Sequence, residues 1–367
     1  MCQNELLSKS VFKMYNYISA LLLAVCCFAC ASPSTEKQEQ VASAPSAAAK
    51  SKAITLYTHR HYDTDQKIFD AFTQQTGISV NVVKASADEL IQKMEQEGAQ
   101  SPADLLLTVD AGRLVRAEEK DLLQPVSSAV LTKRIPSKFR AKEGHWFGLT
   151  KRARVIVYDK KKVDPATLST YEALADSAMK GRVLIRQSNN IYNQSLLASI
   201  IAHQGQDKAL AWAKGVVENF ARSPQGNDRD QVKAILAGEG DIAVINTYYL
   251  GKLLNSKDAA EVEAGQAVGV FFPNQDGRGT HVNISGIGVA KYAPNKAAAI
   301  QFIEYLTNES VQATFAKENY EYPINAAAAS SDLLKSWGDF KEDDLPLAQL
   351  GKLNKAAVIT FDQAGWK

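Results

Sequence analysis

Cysteine is missing from nearly the whole chain. Cys2, Cys26, Cys27 and Cys30 are its only four, all within the first 30 residues. The body can therefore hold neither a disulfide framework nor a thiolate metal site. Histidine is scarce as well: His59, His61, His145, His203 and His281 complete the set. Zinc would call for more imidazole, and the lack of thiolates excludes a soft ion such as copper(I). Neither sign of charge dominates, with 42 basic against 40 acidic residues in 367, so no nucleic acid or other strong polyelectrolyte partner is implied. No nucleophile motif, paired catalytic carboxylates or open two-histidine-one-carboxylate triad is present, and an enzyme is not expected.

Hydrophobic residues make up 46% of the chain, normal for a globular protein. The N-terminus reads as a targeting segment. Lys9 and Lys13 precede the apolar run Ile18–Ala29, which is shorter than the roughly 20 residues of a membrane span. Cys30 follows Phe28-Ala29 and precedes a small, polar stretch, as at a bacterial lipoprotein cleavage site, although Cys27 occupies position −3 where leucine is usual. Residues 1–30 are read as a signal peptide whose lipobox cysteine, Cys30, carries a lipid that anchors the chain to a membrane. Ordinary cleavage near Ala29 or Ala31 is the competing reading, and Met14 offers a second start. Residues 31–52 lack aromatics and any period, as a flexible tether does.

From Ala53 onward, strands and helices alternate. Strands are expected at Ile54–Tyr57, Ser79–Val83 and Ala103–Thr108, with helices at Gln66–Gly77, Ala87–Glu97 and Asp110–Lys120. That order indicates an α/β domain with a parallel sheet. Trp146–Asp159 is long, alternating and strand-like, and is read as crossing out of the first domain. A second α/β run follows. Its expected helices are Tyr171–Met179, Ile191–His203, Lys208–Phe220 and Asp230–Ala237, and its strands Arg182–Arg186 and Asp241–Ile245. Val268–Pro273 is expected to cross back, Ile284–Lys291 to rejoin the first sheet, and Ala297–Leu306 and Ser310–Asn319 to be helices. The result is two three-layer lobes, 53–151 with 276–320 and 152–275 with 321–367, joined by hinge strands around a cleft. In such sheets ligands bind beyond the carboxyl ends of strands.

Three loops at such points share a composition. They are Arg60-His61-Tyr62-Asp63, Ser188-Asn189-Asn190-Ile191-Tyr192-Asn193, and Asn246-Thr247-Tyr248-Tyr249. Together they offer four phenols and an imidazole. A free phenol ionises only near pH 10, so phenolate at neutral pH needs a strong Lewis acid. Four phenolates with one histidine suit a hard, highly charged ion such as ferric iron, Fe(3+). Four phenolates on a trivalent ion leave one negative charge, and Arg60 and Arg154 are the candidate compensators. Asn283 and Ser285 are candidates for lining the cleft, and His59, His145, His203 and His281 are read as structural.

The segments GLTKRARVIVYDK, NNIYNQSL, GEGDIAVINTYYLGKL and HVNISGIGVAK resemble the bacterial periplasmic ferric-iron-binding proteins of ABC importers, from Ala53 to Lys367. The resemblance implies a type II periplasmic-binding fold and, in its cyanobacterial-type members, a metal held by one histidine and four tyrosines. That pattern falls on His61, Tyr62, Tyr192, Tyr248 and Tyr249 without substitution, and the full tyrosine set argues against an obligatory anion. The implied protein is a periplasmic monomer that closes on ferric iron and presents it to an ABC transporter permease in the inner membrane. A binding protein for an organic or anionic solute on the same fold is the alternative, and sequence does not separate import from iron buffering.

Overall fold

The computed structural model describes residues 53–60 and 62–367. The expected signal peptide, Cys30, the tether and His61 lie outside the described residues. No helix among those described is long and apolar enough to cross a membrane.

Nine strands form one sheet among the described residues. They are β1 (Ala53–Thr58), β2 (Ser79–Lys84), β3 (Leu105–Val109), β4 (Phe147–Asp159), β5 (Val183–Leu184), β6 (Ile242–Asn246), β7 (Val268–Phe271), β8 (Val282–Val289) and β9 (Tyr322–Pro323). The order is β2-β1-β3-β8-β4-β6-β5, with β7 and β9 also on β4. β3, β6 and β8 are buried along their whole length, as central strands covered on both faces must be.

β4 organises this arrangement. Its first half, Phe147–Ala153, pairs antiparallel with β8, and its second, Arg154–Tyr158, pairs antiparallel with β6. One strand thus belongs to two half-sheets. The parallel pairing expected from the strand–helix alternation holds for β1 with β2 and β3 and for β5 with β6. It gives way to antiparallel pairing at β8 and β4, the strands through which the chain leaves and re-enters.

The expected helix at Tyr171–Met179 is instead two 3₁₀ turns, Glu172–Ala175 and Ser177–Met179. The carbonyls an α-helix would use are taken elsewhere. The Asn219 amide donates to the Leu174 and Asp176 oxygens at 2.9 and 2.7 Å, and the Trp212 indole donates to that of Tyr171 at 2.7 Å. The strand expected at Arg182–Arg186 shrinks to two residues because the Arg186 carbonyl accepts from Asn193 (2.7 Å) and Trp366 (3.1 Å) rather than from a neighbouring strand. β7, within the segment expected to cross back, pairs with Ile156–Asp159 in the second half of β4, and the chain next pairs at β8 with the first half. At the C-terminus, helices Ala348–Lys352 and Asn354–Ala364 pack against Ile191–Gln204.

Candidate metal centre

Each of the four candidate tyrosines stands at a helix N-terminus. Tyr62 is the N-cap of Asp63–Thr76. Tyr192 is in the first turn of Ile191–Gln204, whose cap Asn190 accepts the Tyr192 N–H at 3.1 Å. Tyr248 and Tyr249 open Thr247–Leu254 directly after β6. The start of that helix is tied to β4, where the Ala153 N–H donates to the Thr247 hydroxyl at 3.3 Å. Helix N-termini carry partial positive charge and unpaired N–H groups, which favours oxyanions nearby.

The phenols converge. Tyr192 Oη lies 3.1 Å from Tyr248 Oη, and the Tyr248 and Tyr249 ring centres are 4.2 Å apart with the rings tilted by 31°. Oxygens held at about 2.0–2.2 Å by a small hard ion sit about 3 Å apart at right angles, so the Tyr192–Tyr248 spacing suits a shared ion. Tyr62 reaches the same place from the first half-sheet. A cavity of about 310 Å³ is lined by Tyr62, Tyr192, Tyr249, His59, Arg60 and Lys252, among others. Among the described residues no group of three or more His, Cys, Asp or Glu side chains could hold a metal. The phenols are therefore the oxygen donors that converge there.

The surroundings are cationic and ordered. Arg60, 4% exposed, has its guanidinium 4.8 Å from the centre of the Tyr62 ring. It donates to both Asp65 oxygens at 2.9 Å, to Ser285 Oγ at 2.6 Å and to Glu321 at 3.1 Å. Arg152, 5.6 Å from the Tyr248 ring centre, meets the same two partners, Ser285 at 2.5 Å and Glu321 at 2.7 Å. Arg154 is 1% exposed. It pairs with the buried Asp228 at 2.7 Å and holds Asn193, beside Tyr192, at 2.8 Å. Arg186 approaches the other Asp228 oxygen at 3.5 Å. Lys252 Nζ sits 3.5 Å over the Tyr62 ring. Five cationic groups (Arg60, Arg152, Arg154, Arg186, Lys252) thus face three carboxylates (Asp65, Asp228, Glu321), an excess of two positive charges among these groups.

Burial holds the Tyr248 phenol well above its usual pKa, reinforced by the neighbouring phenols and opposed by Arg152. Tyr62 is raised in the same way by burial and then Glu321, with Arg60 pulling against them. Tyr249 is raised by burial, then by Tyr192 and Asp228. Without a metal these three phenols stay neutral at physiological pH. Glu321 is the reverse: burial pushes its carboxyl up, but Arg60 and Arg152 outweigh that and hold it at about 2.

The sequence reading placed Arg60 and Arg154 near the phenols, where both lie, but as buried ion pairs. Ser285 joins the Arg60–Arg152–Glu321 network, while Asn283 turns to the Ala111 N–H and Asp110. His59 lines the cavity, held by Thr108 at 3.2 Å and Arg113 at 3.4 Å. The other described histidines stand elsewhere, His145 at Glu118 and His203 at Asp343, and burial with Arg154 and Arg278 depresses His281 to about 3. Arg152, Arg186, Asp228, Lys252 and Glu321 escaped the sequence reading. One signal was available for Arg152. It and Arg154 are two residues apart in an apolar strand, hence on one face, and a buried pair of arginines requires partners.

A profile of the bacterial extracellular solute-binding protein family matches residues 67–342. The chain belongs to this family. Its similarity to Iron uptake protein A1 of Synechocystis sp. is 53% identity over 314 residues, 86% of this chain and 87% of that one. Among solved structures, Trichodesmium IdiA (FutA) in complex with iron and citrate superposes with a TM-score of 0.84 at 52% identity, covering 86% of this chain and all of that one. The ferric binding protein of Campylobacter jejuni gives 0.82 at 44% identity, covering 86% and 100%. This solute-binding protein accordingly has the two-domain type II periplasmic-binding fold, with β4 running between the domains.

Proposed function

We propose that this solute-binding protein captures ferric iron in the periplasm and delivers it to an ABC permease, with Tyr62, Tyr192, Tyr248, Tyr249 and His61 as ligands. The observation that carries the reading is the 3.1 Å approach of Tyr192 and Tyr248 beside Tyr249, where three helix N-termini meet. Relatives at 53% and 47% identity are named as iron uptake proteins, which supports it.

The binding step is capture without bond-making in a substrate. Tyr192, Tyr248 and Tyr249 offer their phenols from one lobe, and the ion displaces their protons. Tyr62 and His61 then close from the other lobe, a hinge motion about β4. Arg60, Arg152 and Lys252 offset the phenolate charge. The lobes are taken as 53–151 with 276–320 and 152–275 with 321–367, except that Tyr322–Pro323 pairs with Lys151 and Thr150 on the first side. A lipid on Cys30 would keep the protein at the membrane, and it acts as a monomer.

The test is a visible absorption titration with ferric citrate of the wild type beside Tyr192→Phe and Tyr248→Phe. A phenolate-to-iron charge-transfer band that weakens or shifts in both variants is expected. A colourless wild type with a normal circular dichroism spectrum would move the reading to an organic or anionic solute.

A further inference from the structure

Asp110 has no part in the proposed metal site, yet it is among the most constrained residues in the chain. It follows β3 and caps helix Ala111–Glu119 with φ 77° and ψ 121°. That conformation is strained for any residue with a Cβ and persists only where surrounding contacts impose it. Its carboxylate is wholly buried, and among the described residues no salt bridge reaches it. Instead it accepts from three neutral donors: the Gly112 N–H at 2.9 Å, Asn283 Nδ2 at 2.9 Å, and the Ser195 hydroxyl at 2.8 and 2.9 Å from its two oxygens.

Those donors come from different places. Gly112 and Asn283 belong with Asp110 to the first half-sheet, since Asn283 lies on β8, the antiparallel neighbour of β3. Ser195 lies on helix Ile191–Gln204, which follows β5 at the far edge of the second half-sheet; β8, β4 and β6 intervene in the sheet order. Ser195 is also one helical turn beyond Tyr192, on the same face. Rotating the half-sheets apart about β4 would separate Ser195 from Asp110 and open the carboxylate to water.

We infer that Asp110 and Ser195 form a latch between the two lobes, which holds the cleft closed and fixes the Tyr192 helix against the first lobe. When closed, the latch satisfies a buried carboxylate and sustains the strained backbone at Asp110. When open, water replaces Ser195. Burial raises the Asp110 carboxyl above its usual range, against the pull of Gly112 and Ser195. Losing one of its few donors in the closed state is therefore costly. This inference rests on the hinged-capture reading, but the contact can be tested without iron.

The experiment is amide hydrogen exchange on the metal-free full chain, comparing wild type, Ser195→Ala and Asp110→Gly. Glycine accepts the positive φ, so the second variant removes the carboxylate without adding strain. Both variants should exchange about tenfold faster in residues 108–113 and in 191–196, the loss expected for a hydrogen bond to a charged group. Faster exchange confined to the mutated segment would reduce the contact to local packing and overturn the latch. A second readout is transfer of ferric iron to a competing chelator. Ser195→Ala should release iron about tenfold faster with its charge-transfer band unmoved, and an unchanged rate would overturn the latch. A wild type that never develops the band overturns the ferric reading instead, while the exchange result still decides the latch.

Discussion

Between Arg60 and Arg152 lies one carboxylate, Glu321, which the two guanidiniums reach at 3.1 and 2.7 Å. It follows Tyr320, which has left-handed geometry (φ 60°) at the end of a π-turn over Phe315–Asn319. Removing one partner from a buried ion pair costs about 3–5 kcal/mol because the remaining charge is stranded. Glu321→Gln should fall in that range by urea denaturation; stability within about 1 kcal/mol of wild type would mean that water reaches both arginines. The same residue sets an acid limit. Its folded pKa, about 2, lies below the ordinary 4.5, so its contribution is complete above pH 4.5 and disappears as the pH falls towards 2. The acid unfolding of Glu321→Gln should accordingly be flatter than that of the wild type across this window.

At the scale of elements, the helix starts aim the phenols. Asn190 accepts the N–H of Tyr192 itself. Asn190→Ala should therefore cost about 1 kcal/mol of stability and also weaken iron binding, whereas a cap remote from the site, such as Ser86, which caps Ala87–Glu97, should cost similar stability and leave binding alone. A matched pair of thermal melts and iron titrations separates the two. The strand end was legible in the sequence because it is local: the apolar run Asp241–Ile245 already marked that Tyr248 and Tyr249 would follow a strand, although the Asn246 side chain makes no cap there and faces Arg154 instead. What balances the charge was not legible. Arg152 meets Glu321 169 residues away and Arg154 meets Asp228 74 residues away, and no local spacing links such partners. The Tyr171 turns were missed for a similar reason, since Asn219 and Trp212, which capture their carbonyls, come from a distant part of the chain.

At the scale of the molecule, binding is linked to protons. Tyr62, Tyr248 and Tyr249 all stay protonated in the metal-free protein because burial raises them, and each must ionise to become a ligand. Proton loss on binding means that protons compete with the ion, so affinity should fall as the pH falls. A titration in weakly buffered solution should release more than one proton per ion bound, corrected for the ferric chelate alone. Release of less than one would mean that the phenols do not ionise. The two half-sheets share β4, so changes at one end of that strand should be felt at the other. Lys151, in its first half, pairs with β9, and Tyr158, in its second, pairs with β7.

The protonated phenols also act as a threshold. A weakly polarising ion such as magnesium or calcium gains too little from a phenol oxygen to displace several protons from a buried, positively charged pocket. The carboxylates beside the phenols, Asp65, Asp228 and Glu321, are each already paired with arginine, so they offer such ions little. Selectivity would then come from how hard an ion must pull before the pocket becomes anionic at all, and not from the size of the cavity.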